Sequence, residues 1–195
     1  MCGIFGLLNY NSTKLTTNFI GEQAQKGQHR GPDSYKIDIN KNIFLAFYRL
    51  AINGLDKKSD QPIKYNNKVL ICNGEIYNYK RLYEIMGIKA FTNSDCECII
   101  HLYEKYGIDY TVNVLDGVFA FILIDYDIDK IYIARDQFGV RPLFYLSNNS
   151  SQEKNNMLGF SSEMKQLHIF TRDIDELNYK GLNNYKVNLF EPGSY

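Results

Sequence analysis

The amino-acid sequence predicts an α+β protein in which layers of β-sheet are covered by a few helices. Strand-like runs outnumber helical ones along the 195 residues, and the two do not alternate as they would in a parallel α/β sheet. One run, "GVFAFILI" from Gly117, is apolar at successive positions and therefore needs a layer on each side. The length suits one domain that spans residues 1–195.

The first predicted strand is "GIFGLL", which begins at Gly3. A helix is predicted over 16–28, because Phe19, Ile20 and Ala24 would share one of its faces. The chain then turns at "HRGPDS", where proline presets its backbone angle and aspartate can bond the chain two residues further on. Two strands are predicted to follow, over 43–50 and 69–72.

Two helices are predicted in the middle of the chain. The segment "NGEIYNYKRLYEIMG" begins as a tight turn at its Asn-Gly pair and continues as a helix that Gly87 ends. In "SDCECIIHLYEKYG", Ser94 is the predicted N-cap, Glu97 completes a capping box and Gly107 is the stop. His101 lies inside this second helix and is expected on its surface.

The second half of the chain is predicted to be rich in strands. The run "GVFAFILIDYDIDKIYIARD" gives two strands joined by an aspartate-rich turn, the first of them buried between layers. Further strands are predicted over 143–146 and 157–161, and "SEMKQL" gives a short helix capped by a serine. The low-complexity segment "SNNSSQEKNN" between those strands is predicted to be a solvated loop.

Composition and charge exclude several classes of function. The 22 basic and 22 acidic residues cancel and form no basic block, so neither nucleic acid nor an anionic membrane is an expected partner, and a small molecule is. No apolar run is long enough to span a bilayer and the N-terminus lacks a signal peptide, which predicts a cytoplasmic protein with reduced thiols. The four cysteines contain no CxxC pair, so neither disulfides nor a metal site are expected.

The most consequential residue is Cys2. A free thiol is only about 3% thiolate at pH 7, so a nucleophilic cysteine needs a nearby base. None of the 3 histidines lies in a signature that makes a Cys-His pair. If Met1 is removed, the α-amino group of Cys2 itself can take the proton. The alternative is that Cys2 only packs as a small hydrophobic residue in an edge strand.

Eight ordered blocks identify a family resemblance. They are "MCGIFG", "HRGPD", "RL", "NGEIYN", "SDCE", "DGVFAF", "RDQFGVRPLFY" and "SSEMKQL". Together they resemble the glutaminase domain of the glutamine-hydrolysing asparagine synthetases, which are class II glutamine amidotransferases. The resemblance implies an N-terminal-nucleophile hydrolase fold, a four-layer αββα sandwich with two antiparallel sheets. It also implies that Cys2 attacks the glutamine carboxamide, forms a glutamyl thioester and releases ammonia, before water liberates glutamate.

The resemblance also implies the roles of the surrounding residues. Asn73 and the backbone N–H of Gly74 form an oxyanion hole, although an Asn-Gly pair alone is most often a turn. Arg49 binds the substrate carboxylate, while Glu75 and Asp95 bind its ammonium group. The backbone of the next four residues also meets that carboxylate, and these residues are Leu50, Ala51, Ile52 and Asn53. Ala51 and Asn53 depart from the family's "RLSI" pattern. Other residues of the blocks are expected to brace turns, namely His29, Arg30, Asp33, Asp136 and Arg141.

The resemblance covers only the ammonia-supplying half of such an enzyme. The chain has neither the "SGGxDS" loop of the synthetase domain nor a GxxxxGK[ST] motif, so the C-terminal synthetase domain is expected to be absent from it. No cofactor and no metal are expected here, because ATP and magnesium belong to that other domain. A homodimer stays an open alternative to a monomer. Two other functions stay open: a catalytically silent glutamine-binding or docking domain, and an N-terminal-nucleophile amidase with another substrate.

Overall fold

The computed structural model describes residues 1–148, 157–172 and 185–195, and these form two antiparallel sheets with helices on their outer faces. The strands are β1 (Gly3–Leu8), β2 (Ser34–Asn40), β3 (Ile43–Arg49), β4 (Ile63–Tyr65), β5 (Lys68–Ile76), β6 (Gly117–Asp125), β7 (Lys130–Arg135), β8 (Phe144–Asn148), β9 (Leu158–Ser161) and β10 (Tyr185–Leu189). The helices are α1 (Thr17–Gln25), α2 (Tyr79–Met86), α3 (Glu97–Tyr106), α4 (Ile108–Val114) and α5 (Met164–Leu167).

The six-stranded sheet has the order β10-β8-β9-β1-β3-β2, and the four-stranded sheet has the order β4-β5-β6-β7. Apolar side chains from β1 and β3 meet those from β5 and β6 in a buried layer between the sheets, which includes Ile4, Leu45, Ile71 and Ile122. The structure therefore confirms the predicted sandwich of two antiparallel sheets.

A helical layer covers the outer face of each sheet. Ile20 and Ala24 of α1 and Leu167 of α5 pack on the outer face of the six-stranded sheet. Leu82 of α2 and Ile99 of α3 pack on the outer face of the four-stranded sheet. Both faces of β6 are thereby buried, as its continuous apolar run predicts. The four layers have the order αββα, so the predicted fold class is confirmed.

Helix ends follow local signals at some places and tertiary contacts at others. The side chain of Thr16 caps α1 by accepting a hydrogen bond from the backbone N–H of Phe19. Gly87 and Gly107 follow α2 and α3 with φ of 67° and 80°, a backbone region that glycine enters at little cost. The predicted serine caps are wrong, because neither α3 nor α5 has a side-chain cap.

The predicted capping box fails because Glu97 is used elsewhere. Its buried carboxylate accepts hydrogen bonds from the backbone N–H groups of Phe91 and Thr92, at 2.8 and 2.6 Å, and contacts Nε2 of His101 at 3.0 Å. His101 is only 6% exposed and is packed among aromatic rings, so the expected surface position is also wrong. Together these contacts pin the segment that leads to Asp95.

Some elements of the structure are not predicted by the sequence patterns. These are the strands β2, β4 and β10 and the helix α4, and β5 extends four residues beyond its predicted end. The predicted loop "SNNSSQEKNN" lies mostly outside the described residues. No helix of the described part of the chain is long and apolar enough to cross a membrane.

Candidate active site

One small cavity, with a volume of about 40 Å³, lies where the start of the chain meets β3, β5 and the segment before α3. Almost all the predicted site residues line it, and Ala51 is the exception. The lining side chains or backbone atoms that were predicted belong to Cys2, Arg49, Leu50, Ile52, Asn53, Asn73, Gly74, Glu75 and Asp95. The fold thus brings together residues that lie more than ninety positions apart in the sequence.

Cys2 immediately precedes β1, and backbone contacts hold it in place. Its Sγ lies 3.4 Å from both the carbonyl oxygen and the backbone nitrogen of Leu50. Its own carbonyl oxygen accepts a hydrogen bond of 3.0 Å from Nε of Arg30. Burial raises the pKa of the Cys2 thiol above its ordinary value, although the Leu50 backbone and the positive N-terminus oppose this. The thiol therefore lines the cavity in a place that favours its protonated form over the thiolate.

Asn73 and Gly74 lie inside β5, so the predicted turn is wrong. They pair with Ala120 and Phe119 of β6, and this pairing extends the strand through both residues. Gly74 is required there because a Cβ atom would lie 2.5 Å from the carbonyl oxygen of Val118 and 2.7 Å from the Cα of Phe119. Tertiary strand pairing thus overrides the local preference of an Asn-Gly pair for a turn.

The amide nitrogen of Asn73 is the most unusual polar atom of the cavity. Asn73 is 1% exposed, and its Nδ2 is buried without a hydrogen-bond partner. Buried donors are nearly always paired, since an unpaired one costs about 1–3 kcal/mol. Asn73 lines the same cavity as Cys2, so this unpaired donor belongs to a residue of the cavity wall.

Arg49 is buried and is held by the loop that follows it. Its NH1 donates to Oδ1 of Asp60 at 2.6 Å and to the carbonyl oxygen of Asp56 at 3.0 Å. Its NH2 donates to the carbonyl oxygens of Asn53 and Gly54. Arg49 therefore lines the cavity while its two terminal nitrogens organise residues 53–60.

Ala51 lies outside the cavity lining, but it is fixed nearby. Its backbone nitrogen donates to Oδ2 of Asp33 at 2.8 Å. Asp33 thus braces the segment after β3, which agrees with its expected structural role. His29 and Arg30 brace a second place: they contact Oε1 of Glu163 at 2.9 and 3.3 Å.

Two carboxylates lie at the other end of the cavity. Oδ2 of Asp95 accepts a hydrogen bond of 2.6 Å from the backbone nitrogen of Ile76, and the Asn53 side chain also bonds this carboxylate. Burial raises the pKa of Asp95, and the nearby charge of Glu75 raises it further, against these hydrogen bonds. Asp95 lies two residues before α3, which begins at Glu97.

Several cavity residues were not predicted as site residues. The side-chain amide of Gln61 makes two hydrogen bonds to the backbone of Cys72, next to Asn73. Its Nε2 donates to the carbonyl oxygen at 3.1 Å, and its Oε1 accepts from the backbone nitrogen at 2.5 Å. Arg141 was expected only to fix a loop, but its NH2 lies 3.1 Å from Oε1 of Glu75. Arg141 belongs to the block "RDQFGVRPLFY", whereas Gln61 belongs to none of the blocks, and no local pattern shows that either residue lines a cavity.

The remaining thiols are buried, as predicted. Cys72 and Cys96 line the cavity, whereas Cys98, a residue of α3, is fully buried in the core between that helix and the four-stranded sheet. Burial holds the pKa of Cys98 well above its ordinary value, and contact with Cys72 together with burial does the same for Cys96. Within the described residues, no group of three or more His, Cys, Asp or Glu side chains could hold a metal ion.

The arrangement has the parts of a thiol acyl-transfer site. A thiol, an unpaired buried amide and charged groups of both signs line one cavity, and these are the types of group that thiol acyl transfer on a zwitterionic substrate uses. A thiol placed directly before the first strand of an αββα sandwich is typical of the N-terminal-nucleophile hydrolases.

Comparison with known proteins agrees with this class. Residues 1–194 match the family described as "Glutamine amidotransferase domain", and the chain belongs to this family. Its relatives include an asparagine synthetase [glutamine-hydrolyzing] of Gallus gallus, 39% identical over 204 residues that cover 100% of this chain and 33% of the relative. A probable asparagine synthetase [glutamine-hydrolyzing] of Acanthamoeba polyphaga mimivirus is 36% identical over 182 residues, which cover 91% of this chain and 32% of the relative.

A third relative is asparagine synthetase [glutamine-hydrolyzing] 2 of Bacillus subtilis (strain 168). It is 35% identical over 187 residues, which cover 92% of this chain and 24% of the relative. The chain therefore spans a third or less of the length of these curated relatives.

Proposed function

We propose that this domain hydrolyses glutamine to glutamate and ammonia, with Cys2 as the nucleophile. The observation that carries the proposal is the unpartnered, buried Nδ2 of Asn73 in the cavity that Cys2 lines. A donor left without a partner in the folded protein is paired when a substrate oxygen arrives, and it binds that oxygen more strongly as charge develops. The backbone N–H of Gly74 is the proposed second donor.

The reaction has two stages. Sγ of Cys2 bonds to the carboxamide carbon of glutamine, and the C=O electron pair moves to the oxygen, which Asn73 and Gly74 stabilise. The C–N bond then breaks, and the nitrogen takes the thiol proton and leaves as ammonia. Water next attacks the thioester, its C–S bond breaks, and glutamate is released as the thiol is restored.

The proposed base is the α-amino group of Cys2 itself, exposed by removal of Met1. No histidine lines the cavity, because His29 contacts Glu163 and His101 contacts Glu97. A thiol whose pKa is raised by burial needs a base that acts during the attack. Met1 also lines the cavity, so its removal would free the amine and widen a space of about 40 Å³.

The two ends of the cavity suit the two charges of an α-amino acid. Arg49 is the proposed partner of the substrate carboxylate, together with the backbone of the 50–53 segment. Asp95 and Glu75 are the proposed partners of the ammonium group. The backbone N–H of Ile76 already donates to the Asp95 carboxylate, and the side chain of Asn53 favours its ionised form.

We further propose that the ammonia serves an asparagine synthetase reaction, since relatives with that name match the chain over most or all of its length. A synthetase domain would then be the partner that consumes the ammonia, and ATP and magnesium would bind there. A homodimer of the full protein stays an alternative to a monomer.

The test combines intact mass with labelling by 6-diazo-5-oxo-L-norleucine, a glutamine-like diazoketone. We expect a mass that lacks Met1, a single adduct on Cys2 and release of ammonia from glutamine. Cys2→Ser should lose the adduct, whereas Cys98→Ser, which changes a buried thiol outside the cavity, should keep it. Binding of glutamine without turnover by trimmed wild-type protein would favour the silent binding domain, and turnover of other amides would favour a different amidase.

A further inference from the structure

Arg141 contacts Glu75, one of the two acidic side chains that line the cavity. Its NH2 is 3.1 Å from Oε1 of Glu75, with side-chain exposures of 12% and 29%. Arg141 also lines the cavity that contains Cys2, and its Nε is buried without a hydrogen-bond partner. A guanidinium in this place can interact with whatever charges the cavity holds.

The loop that carries Arg141 is shaped by its neighbours and does not need the Arg141 side chain. The Asp136 carboxylate accepts hydrogen bonds from the backbone nitrogens of Val140 and Arg141, at 2.9 and 3.1 Å. Arg135 donates from Nε to the carbonyl oxygen of Arg141 at 2.8 Å and from NH2 to that of Gly139 at 2.6 Å. The backbone of Arg141 is thus fixed, while its side chain is directed at Glu75.

The charges around the cavity divide into two groups by their partners. Arg49 of β3 is paired with Asp60 at 2.6 Å. Arg141 after β7 is paired with Glu75 of β5 at 3.1 Å, and the charge of Glu75 acts on Asp95 before α3. The thiols of Cys2, Cys72 and Cys96 and the N-terminal amino group complete the titratable groups that face this space. Two carboxylates and one guanidinium therefore leave one net negative charge where the substrate ammonium is expected.

We propose that Arg141 is a positioning residue that keeps Glu75 and Asp95 ionised together and so matches the site to a single ammonium group. The inference rests on the proposed function, since it assigns the ammonium end of the glutamine site. Arg141 acts through the carboxylates and not by touching the substrate.

The direction of the effect follows from electrostatics. Burial and the charge of Glu75 already raise the pKa of Asp95. Loss of the Arg141 charge would disfavour the state in which both carboxylates are ionised, because an opposite charge nearby favours the ionised form. Binding of an ammonium group needs that ionised state, so it weakens as pH falls. Without Arg141, this weakening occurs at a higher pH.

The test measures glutamine binding instead of turnover, so the result does not depend on the reactivity of the Cys2 thiol or of its amine. Glutamine affinity is measured by calorimetry from pH 5 to 8 in a Cys2→Ala background, beside glutaramate, which lacks the ammonium group. We expect Arg141→Met to raise the midpoint of glutamine binding by about 0.5–1 pH unit, with no such change for glutaramate. Arg141→Lys should restore most of the original midpoint. Arg81→Met, at an exposed position of α2, is the matched control and should leave it unchanged.

An unchanged midpoint in folded Arg141→Met protein would overturn the proposal, as would an equal change for both ligands. If Arg141→Met does not fold, Glu75→Gln replaces it: removal of one carboxylate should lower the midpoint and weaken glutamine at every pH, and an unmoved midpoint again contradicts the coupling. Wild-type turnover of glutamine is measured separately. Its absence would refute the proposed function, whereas turnover with no Arg141 effect would refute only this inference.

Discussion

The unpartnered amide of Asn73 predicts that one substitution raises stability and removes activity. Nδ2 of Asn73 is buried without a partner in the folded protein, whereas an unfolded chain would expose it to water. Burial without a bond costs about 1–3 kcal/mol. Leucine has nearly the same branched shape as asparagine but has no donor. Asn73→Leu therefore removes the cost without opening a cavity.

The magnitude combines a gain and a loss. Allowing for imperfect packing of the two methyl groups, Asn73→Leu should stabilise the fold by about 1 kcal/mol, which raises the Tm of a protein of this size by about 2–4 °C. Loss of one oxyanion donor should lower kcat for glutamine by about 10²–10³, or roughly 3–4 kcal/mol of transition-state stabilisation. The two effects have opposite signs because the same atom is unpaired in the ground state and paired in the transition state.

Asn78 provides the matched control, because it lies nearby and is fully engaged. Its Nδ2 donates to the carbonyl oxygen of Val114 at 2.8 Å, and its Oδ1 accepts from the backbone nitrogen of Asp116 at 3.1 Å. Asn78→Leu should lower the Tm. Scanning calorimetry and ammonia release measure both variants. A fall in Tm for Asn73→Leu as large as that for Asn78→Leu would refute the reasoning, since Asn73 would then be a structural residue.

Three other substitutions test particular contacts. Gly74→Ala places a methyl group 2.5 Å from a backbone oxygen of β6, so we expect a loss of about 1–3 kcal/mol in unfolding free energy and a fall in glutamine hydrolysis. Burial disfavours the ionised form of Glu97, yet hydrogen bonds hold the pKa of this carboxyl below the ordinary 4.5. The stability that Glu97 contributes is therefore present above that value and is lost as pH falls through the lowered pKa. Glu97→Gln should flatten the change in Tm between pH 6 and 3. Arg30→Met removes the hydrogen bond to the Cys2 carbonyl oxygen and should lower kcat about tenfold. Lys165, which is half-exposed, contacts the same Glu163 as Arg30, so Lys165→Met is the control and should leave kcat unchanged. Equal rates for the two variants would contradict the positioning role of Arg30.

Local patterns predict those elements whose cause is local. The apolar run of β6 requires burial on both faces, and the structure buries both. The glycines that end α2 and α3 adopt positive φ, as their positions predict. The strand β2 was omitted although its sequence "SYKIDIN" alternates apolar and polar residues, a pattern that is typical of an edge strand with one solvated face. That omission was avoidable.

Other features depend on contacts that no short segment contains. Asn73 and Gly74 would form a turn by local preference, but pairing with β6 holds them in a strand. Glu97 fits a capping box by spacing, but a buried histidine and two backbone N–H groups compete for its carboxylate. The sequence also contains no sign that Arg141 faces a cavity, because its direction is set by the hydrogen bonds that Arg135 and Asp136 make to the surrounding loop.

In the proposed mechanism, the cavity favours negative charge on a substrate oxygen and disfavours it on sulfur. Burial raises the pKa of the Cys2 thiol, so the free protein does not hold a reactive thiolate at neutral pH. The unpaired donor of Asn73 has the opposite effect, since it gains a partner only when an oxygen enters the cavity. Charge therefore becomes favourable only as the thiol proton leaves and the carbonyl oxygen accepts the electron pair. This coupling requires a base that reaches the thiol at the moment of attack, and the amine of the same residue is the base that we propose.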